Sequence, residues 1–500
     1  MLAWLLDLGA GIGNAMELSI FAAAFLGVIV GVVIGVIPGL GPAVAISLSI
    51  PLTYTLGPAT AIAFMLGIYK GGTYGGSISA ILINTPGTPA AAATVLDGYP
   101  MAKQGKAGKA LGIALYASVF GDAFSILILC VLAEPIARAA LRFGPTELFS
   151  LLLFALTIVA SLSGKNLIKG LIAAALGLAV CMVGMDAMTG IPRLTFGILA
   201  LDDGFSIVPM VIGMFAVTEV INQAESRSVS AGGALLPTSD NPDDNRVSWK
   251  DFKRCLPIFA QSSLVGVGIG ALPGTGSTTA AYLSYGMAQK RSKHPEEFGK
   301  GSIEGLAAAE SGNNAVCGGA LIPMLTLGIP GDVVTAILMS ALIVHGVHIG
   351  PMIFNEHRVF VFTLFGMLIV SILMLYLVGL VAIRGCRKLA TMPHSLVMPI
   401  VLLLCVVGSY AVSYSMTDVW MMLGFGVLGY AMNKLEIPLP PFIIAFVLGP
   451  MLEQSLRRAL ILSRGDYSIF VTHPISLGFL ALAVFSVWGI VRGARKKLGD

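Results

Sequence analysis

The sequence predicts an all-α polytopic membrane protein of about twelve transmembrane helices, with broken or re-entrant half-helices and two inverted structural repeats. Three observations predict it. The 500 residues are 56% hydrophobic and 11% charged, with a mean hydropathy of +0.89. Soluble domains carry roughly 25% charged residues, so this chain needs lipid to cover its surface. Apolar runs of spanning length recur along the chain. Finally, Pro-Gly turns interrupt apolar sequence at matching places in the two halves.

The first apolar run, 18–37, has the length to cross a hydrocarbon core of about 30 Å. No Lys or Arg precedes Lys70, so the run lacks the basic flank of a secretory signal and is taken as the first membrane helix. Further spans are expected at 110–133, 148–163, 167–185, 205–221, 256–272, 333–349, 359–383, 396–414, 419–432, 438–452 and 475–491. Shorter Gly- and Pro-rich pieces lie at 42–56, 59–69, 74–84, 277–288 and 315–329. Irregular backbone at membrane depth survives only inside protein or beside a wet cavity, so these pieces are read as half-helices around a transport site. The polar stretch 222–254 reads as a solvated linker. It divides the chain into a first transmembrane repeat, 1–221, and a second, 255–500, that carries an extra C-terminal helix.

The duplication rests on landmarks in a constant order. Gly35-Val-Ile-Pro-Gly-Leu-Gly-Pro42 matches Gly270-Ala-Leu-Pro-Gly-Thr-Gly-Ser277, 235 positions on (38 to 273). Asn84-Thr-Pro-Gly-Thr88 matches Gly328-Ile-Pro-Gly-Asp332, 244 on (86 to 330). Val208-Pro209 resembles Pro440-Pro441, 232 on (209 to 441). Basic residues decide orientation, because cytoplasmic loops collect Lys and Arg. Lys290, Arg291, Lys293 and Lys300 have no basic counterparts near 51–58. Lys165 and Lys169 stand against Asp418, and Lys103, Lys106 and Lys109 against a lone Arg358. These three comparisons favour inversion. Arg138 and Arg142 against Arg384, Arg387 and Lys388 are basic on both sides and oppose it. Arg492, Arg495, Lys496 and Lys497 place the C-terminus in the cytoplasm.

The paired turns carry the strongest chemical signal. Breaking a helix exposes backbone N–H and C=O groups, and the positive end of the next half-helix can hold an anion without a buried charge. Candidate substrate-binding residues are therefore Pro38, Gly39, Leu40, Gly41 and Pro42, and Pro273, Gly274, Thr275, Gly276, Ser277 and Thr278, with Lys70 as a possible counter-charge. Helix kinks or close-packing glycines are the bland reading. Neutral oxygens at Ser77, Asn84, Thr85, Asn313 and Asn314 suit a co-transported cation, Na⁺ or H⁺; polar glue between helices is the alternative. Charges in apolar context at Asp122, Glu134, Asp186, Glu219, Glu304, Glu310 and Asp332 are noted for the same reason. The six cysteines lack paired spacing, His345 and His348 have no third ligand in sequence, and no metal, cofactor or catalytic residue is expected. GxxxxGK[ST], HExxH and GxSxG are absent. The net charge of +4 does not suggest nucleic-acid binding.

Gly35–Pro42, the run Tyr74-Gly-Gly-Ser-Ile-Ser-Ala-Ile-Leu-Ile-Asn-Thr-Pro-Gly-Thr-Pro89, and Asp97-Gly-Tyr-Pro100 resemble the large membrane subunit of the tripartite tricarboxylate transporters. Ala271–Gly276, Glu304–Asn314 and Leu327–Gly331 match the same family. The resemblance spans essentially the whole chain. It implies a bacterial inner-membrane permease that works with a small membrane subunit and a periplasmic solute-binding protein, and takes up a carboxylate such as citrate at the expense of a cation gradient. The residues themselves leave open another binding-protein-dependent or stand-alone symporter, and a membrane-embedded enzyme.

Overall fold

The computed structural model describes residues 2–162, 167–186, 188–225, 239, 242–385 and 394–498. In chain order the main helices are α1 (Leu2–Ala15), α2 (Leu18–Val36), α3 (Pro42–Ser49), α4 (Pro58–Ile83), α5 (Ala92–Lys103), α6 (Ala107–Ala140), α7 (Pro145–Leu162) and α8 (Leu167–Cys181). A two-residue hairpin, β1 (Gly184–Met185) with β2 (Pro192–Arg193), precedes α9 (Ile207–Glu225). The second half runs α10 (Trp249–Gly270), α11 (Gly276–Arg291), α12 (Ile303–Leu327), α13 (Val333–Val344), α14 (Arg358–Gly385), α15 (His394–Ser413), α16 (Met416–Lys434), α17 (Leu439–Leu462) and α18 (Pro474–Leu498). The order long, short, long, short, long occurs twice, from α2 to α6 and from α10 to α14.

Among the described residues, five helices are long and apolar enough to cross a membrane: α2, α6, α9, α14 and α17. Shorter apolar helical stretches lie at Pro145–Ser161, Leu167–Cys181, Val333–Val344, Val397–Ser413 and Pro474–Trp488. The chain is thus an all-α protein of membrane character. Much of the expected linker 222–254, and Lys165, Arg387 and Lys388, lie outside the described residues, as do the side chains of the basic C-terminal residues.

Two expectations about broken helices are corrected. The pieces 59–69 and 74–84 form one continuous helix, α4, and 315–329 falls largely within α12. Glycine does not break α4 because it is buried against α2, where the missing side chains let two backbones touch. A methyl on Gly75 would lie 2.6 Å from the Val32 carbonyl oxygen, and one on Gly319 of α12 would lie 2.9 Å from that of Val267 in α10. Close packing accounts for these residues. The helix α4 instead ends at Asn84, whose left-handed φ of 58° caps it. Gly328 does the same for α12 at φ 71°.

Charged residues collect at two ends of the bundle. At one, Gln104 donates to the Lys300 carbonyl (2.8 Å), Lys109 pairs with Asp251 (3.1 Å) and Arg254 with Glu304 (2.6 Å). At the far end of α6, Arg358 bridges Asp7 (2.7 Å) and Glu134 (3.0 Å). The loop after α13 and the turn after α3 are joined by a Thr53–His345 hydrogen bond of 3.2 Å.

Candidate substrate cavity

A glycine in the left-handed region opens each Pro-Gly turn: Gly39 at φ +84° and Gly274 at φ +77°. Each turn then delivers its chain into a helix N-terminus, Pro42 of α3 and Gly276 of α11. The two later turns behave alike. The Gly87 amide donates to the Gly76 carbonyl (3.1 Å), and the Gly274 amide to the Gly331 carbonyl (2.8 Å). A methyl on Gly331 would stand 2.5 Å from the Gly270 carbonyl oxygen, and Gly87 presses on the Gly35 carbonyl in the same way. Each later turn is therefore clipped onto the end of the first long helix of its own half.

All four turns border one cavity of about 880 Å³. Its wall includes Gly39, Gly41 and Pro42; Pro86 to Pro89; Gly274 to Thr279; and Asp332 to Val334. Leu439 and Pro440 at the start of α17 complete the ring. Four helix N-termini, those of α3, α11, α13 and α17, thus open on the same space and bring partial positive charge to it; Pro42, Pro440 and Pro441 carry no N–H, and Asp332 already takes the Thr335 amide of α13. Among the described residues no Lys, Arg or His lines it, whereas two carboxylates, Glu219 and Asp332, do. Asp332 caps α13 through the Thr335 amide (2.8 Å) and accepts from the Tyr69 hydroxyl (2.8 Å). Glu219 accepts from Gln223 (2.7 Å), which also donates to the Pro38 carbonyl (3.1 Å) and so ties α9 to the first turn. Beside Glu219, α9 carries a π-helical stretch, Gly213–Val217, that turns Met214 and Phe215 onto the cavity. Such stretches recur at functional sites.

The structure distributes the expected residues unevenly. Gly39, Gly41, Pro42, Gly274, Thr275, Gly276, Ser277 and Thr278 all reach the cavity, while Pro38, Leu40 and Pro273 support the turns without lining it. The Thr275 hydroxyl is spent on the Ile269 carbonyl (2.5 Å), whereas Ser277 and Thr278 stand half-buried in the first turn of α11. Lys70 lies elsewhere: its ammonium is buried against Asp122 (2.9 Å) and the Leu368 carbonyl (2.7 Å), as a local ion pair. Asn84 and Thr85 lie outside the cavity lining: both are exposed at the end of α4, where the first is the helix cap and the second donates to the Ile83 carbonyl (3.3 Å). Asn313 borders the cavity with neither side-chain nitrogen nor oxygen bonded. Asn314 and Ser77 are buried one layer behind it.

Sequence reasoning missed Tyr69, Thr73 and the start of α17 as cavity residues. Pro440 enters the sequence reading only as a repeat landmark, and its match to the Val208-Pro209 pair of α9 is the one sequence signal near this part of the wall. Residues 21–444 match the family described as "Tripartite tricarboxylate transporter TctA family". Two proteins of Agrobacterium vitis are similar. The first, "Uncharacterized 52.8 kDa protein in TAR-I ttuC' 3'region", is 36% identical over 437 residues, which is 87% of this chain and 86% of the relative. The second, "Uncharacterized protein in TAR-II ttuC' 3'region", is 36% identical over 219 residues, 44% of this chain and 90% of that protein. No solved structure matches. With the match covering most of its length, the chain belongs to the tripartite tricarboxylate transporter TctA family, the large membrane subunit of such a transporter.

Proposed function

We propose that this chain is the permease subunit of a secondary active importer that moves a carboxylate, citrate or a related organic acid, across the bacterial inner membrane. A periplasmic solute-binding protein delivers the substrate, a small membrane subunit completes the assembly, and a cation gradient drives uptake. About twelve helices span the bilayer as two inverted repeats, with the C-terminus in the cytoplasm. The observation that carries this reading is the cavity: four helix N-termini around about 880 Å³, with no cationic side chain among the described residues and two carboxylates. Helix N-termini are donors suited to a carboxylate. Without a resident positive charge, a multiply negative substrate needs cations to travel with it. The membrane potential adds to that need, opposing entry by about 2.3 kcal/mol per charge per 100 mV.

The turns Gly39–Pro42 and Gly274–Thr278 hold the substrate from opposite sides in this reading, and the hydroxyls of Ser277 and Thr278 add donors on one side only. Membrane vesicles containing the assembled transporter test it. Labelled citrate and other di- and tricarboxylates should accumulate under imposed Na⁺ or H⁺ gradients. Accumulation that persists with both gradients collapsed would rule out cation-driven import.

A further inference from the structure

Glu310 lies in the middle of α12 and is completely buried. Its carboxyl oxygens accept from the hydroxyl of Thr94 in α5 and from that of Ser118 in α6 (3.2 Å), and the Ser77 hydroxyl of α4 faces the same group. Asn314 closes the shell, donating to the Ser118 hydroxyl (2.9 Å) and to the Glu310 carbonyl (3.0 Å). Every partner is neutral. No charged or titratable side chain of the elements packed on α12 faces this carboxyl among the described residues. Those elements spend theirs elsewhere. Lys70 pairs with Asp122 (2.9 Å), Asp97 accepts from the Gly301 and Ser302 amides (2.8 Å each), Glu304 pairs with Arg254 (2.6 Å) and Lys109 with Asp251 (3.1 Å).

A buried carboxylate with no counter-charge is costly by several kcal/mol, and it relieves that cost by taking a cation. The Thr94 and Ser118 hydroxyls hold the carboxyl oxygens at hydrogen-bonding range, a neutral shell that suits an O–H on this group. The cavity begins one helical turn away along α12. Asn313 is one helical turn further on the same face of α12, is 1% exposed, borders the cavity, and has both its side-chain nitrogen and oxygen unpartnered.

We propose that Glu310 carries the coupling proton, and that the unpartnered Asn313 amide orients the cavity water that exchanges it. This assignment rests on the cation-coupled import proposed above. In the step, a hydronium ion in the cavity breaks an O–H bond and becomes water as its proton forms an O–H bond on a Glu310 carboxyl oxygen. The same O–H bond breaks, and the proton returns to cavity water, once the cavity faces the other side.

Two measurements test the assignment. In purified protein in lipid, infrared difference spectra across a pH titration should show a protonated-carboxyl band that E310Q lacks. This readout needs no transport, so it stands even if carboxylate import itself fails. In vesicles with the assembled transporter and citrate as probe, one coupled proton supports about tenfold accumulation per pH unit of gradient. E310Q should reduce that to no accumulation. If E310Q does not fold, T94V and S118A supply the test, because removing a hydroxyl partner should move the midpoint of the band. An unchanged band in E310Q, an unmoved midpoint in both hydroxyl variants, or pH-driven accumulation by E310Q equal to that of the parent would overturn the assignment. So would accumulation driven by Na⁺ alone.

Discussion

At the scale of single residues, the turn glycines are not equivalent, although the motif writes them alike. Gly39 and Gly274 have left-handed φ, and a methyl on Gly274 would lie 2.6 Å from the Val159 backbone, while one on Gly39 would collide with Glu219 and Gln223. Gly41 has φ −72° and its nearest neighbour for a methyl is Thr88 at 3.6 Å, ordinary contact. Replacement by Ala at Gly39 or Gly274 should therefore cost about 1–3 kcal/mol from backbone strain alone and abolish citrate uptake. G41A should fold normally and keep uptake within about threefold, below one hydrogen bond's worth. Melting temperature and vesicle uptake measured together check the contrast. Lys70 gives a second test. Truncating one partner of a buried ion pair strands the other, at about 3–5 kcal/mol, whereas apolar replacement of both is near neutral. K70M should thus melt well below the parent and K70M/D122L should recover. The double variant should keep the parent's KM for citrate, since neither residue touches the cavity; a raised KM with intact stability would restore Lys70 to the site.

At the scale of elements, legibility followed local chemistry. The Pro-Gly turns were readable because a proline and left-handed glycines interrupt a helix whatever surrounds them. The break expected between 59–69 and 74–84 is absent, since glycines inside a helix serve close packing when another helix lies against them, and the α2–α4 contact is tertiary information. The lining by Tyr69 and Thr73 depends on which face of α4 turns inward, and a helix buried all round shows no apolar periodicity to reveal it. The loop between α8 and α9 illustrates the remainder. Asp186 accepts from the Thr189 (2.9 Å) and Met188 (2.8 Å) amides and from Arg457 (2.6 Å), a convergence over 271 positions that no local pattern displays. Those amides and that guanidinium hold its carboxyl well below the usual carboxylate range. With the folded value depressed, its stabilisation is complete above about pH 3.9, the unfolded value, and is lost as pH falls through the folded one. D186N should therefore lower the melting temperature at pH 7, while the parent shows no loss attributable to this group between pH 5 and 8.

For the whole molecule, the family and its membrane character were legible from composition and long motifs, but the sidedness of the two halves hangs on loop charges. The structure brings the loops near Lys106 and Lys300 together at one end and joins the turn at Thr53 to His345. Inverted halves require these groups to be on opposite faces of the bilayer. Single cysteines at Lys106 and Lys293 should react with an impermeant thiol reagent only from the cytoplasmic side, and those at Thr55 and Asn355 only from the periplasmic side, in a background without the six native cysteines. Labelling of Thr55 and Lys293 from one face would refute the inversion.

The cavity wall of Glu219 and Asp332, with no resident cation among the described residues, also bears on the half of the cycle in which nothing is carried. In the proposed cycle, the protein loaded with anion and cations would move little net charge. Unloaded, it would shift the fixed negative charge of Glu219 and Asp332 through part of the field as it resets. An inside-negative voltage pushes negative charge outward, so it favours return of the vacant protein to the periplasmic-facing state. Voltage would then accelerate turnover by hastening the reset rather than the loaded stroke. Capacitive currents recorded without any substrate, diminished in E219Q, are the electrical signature of such a return.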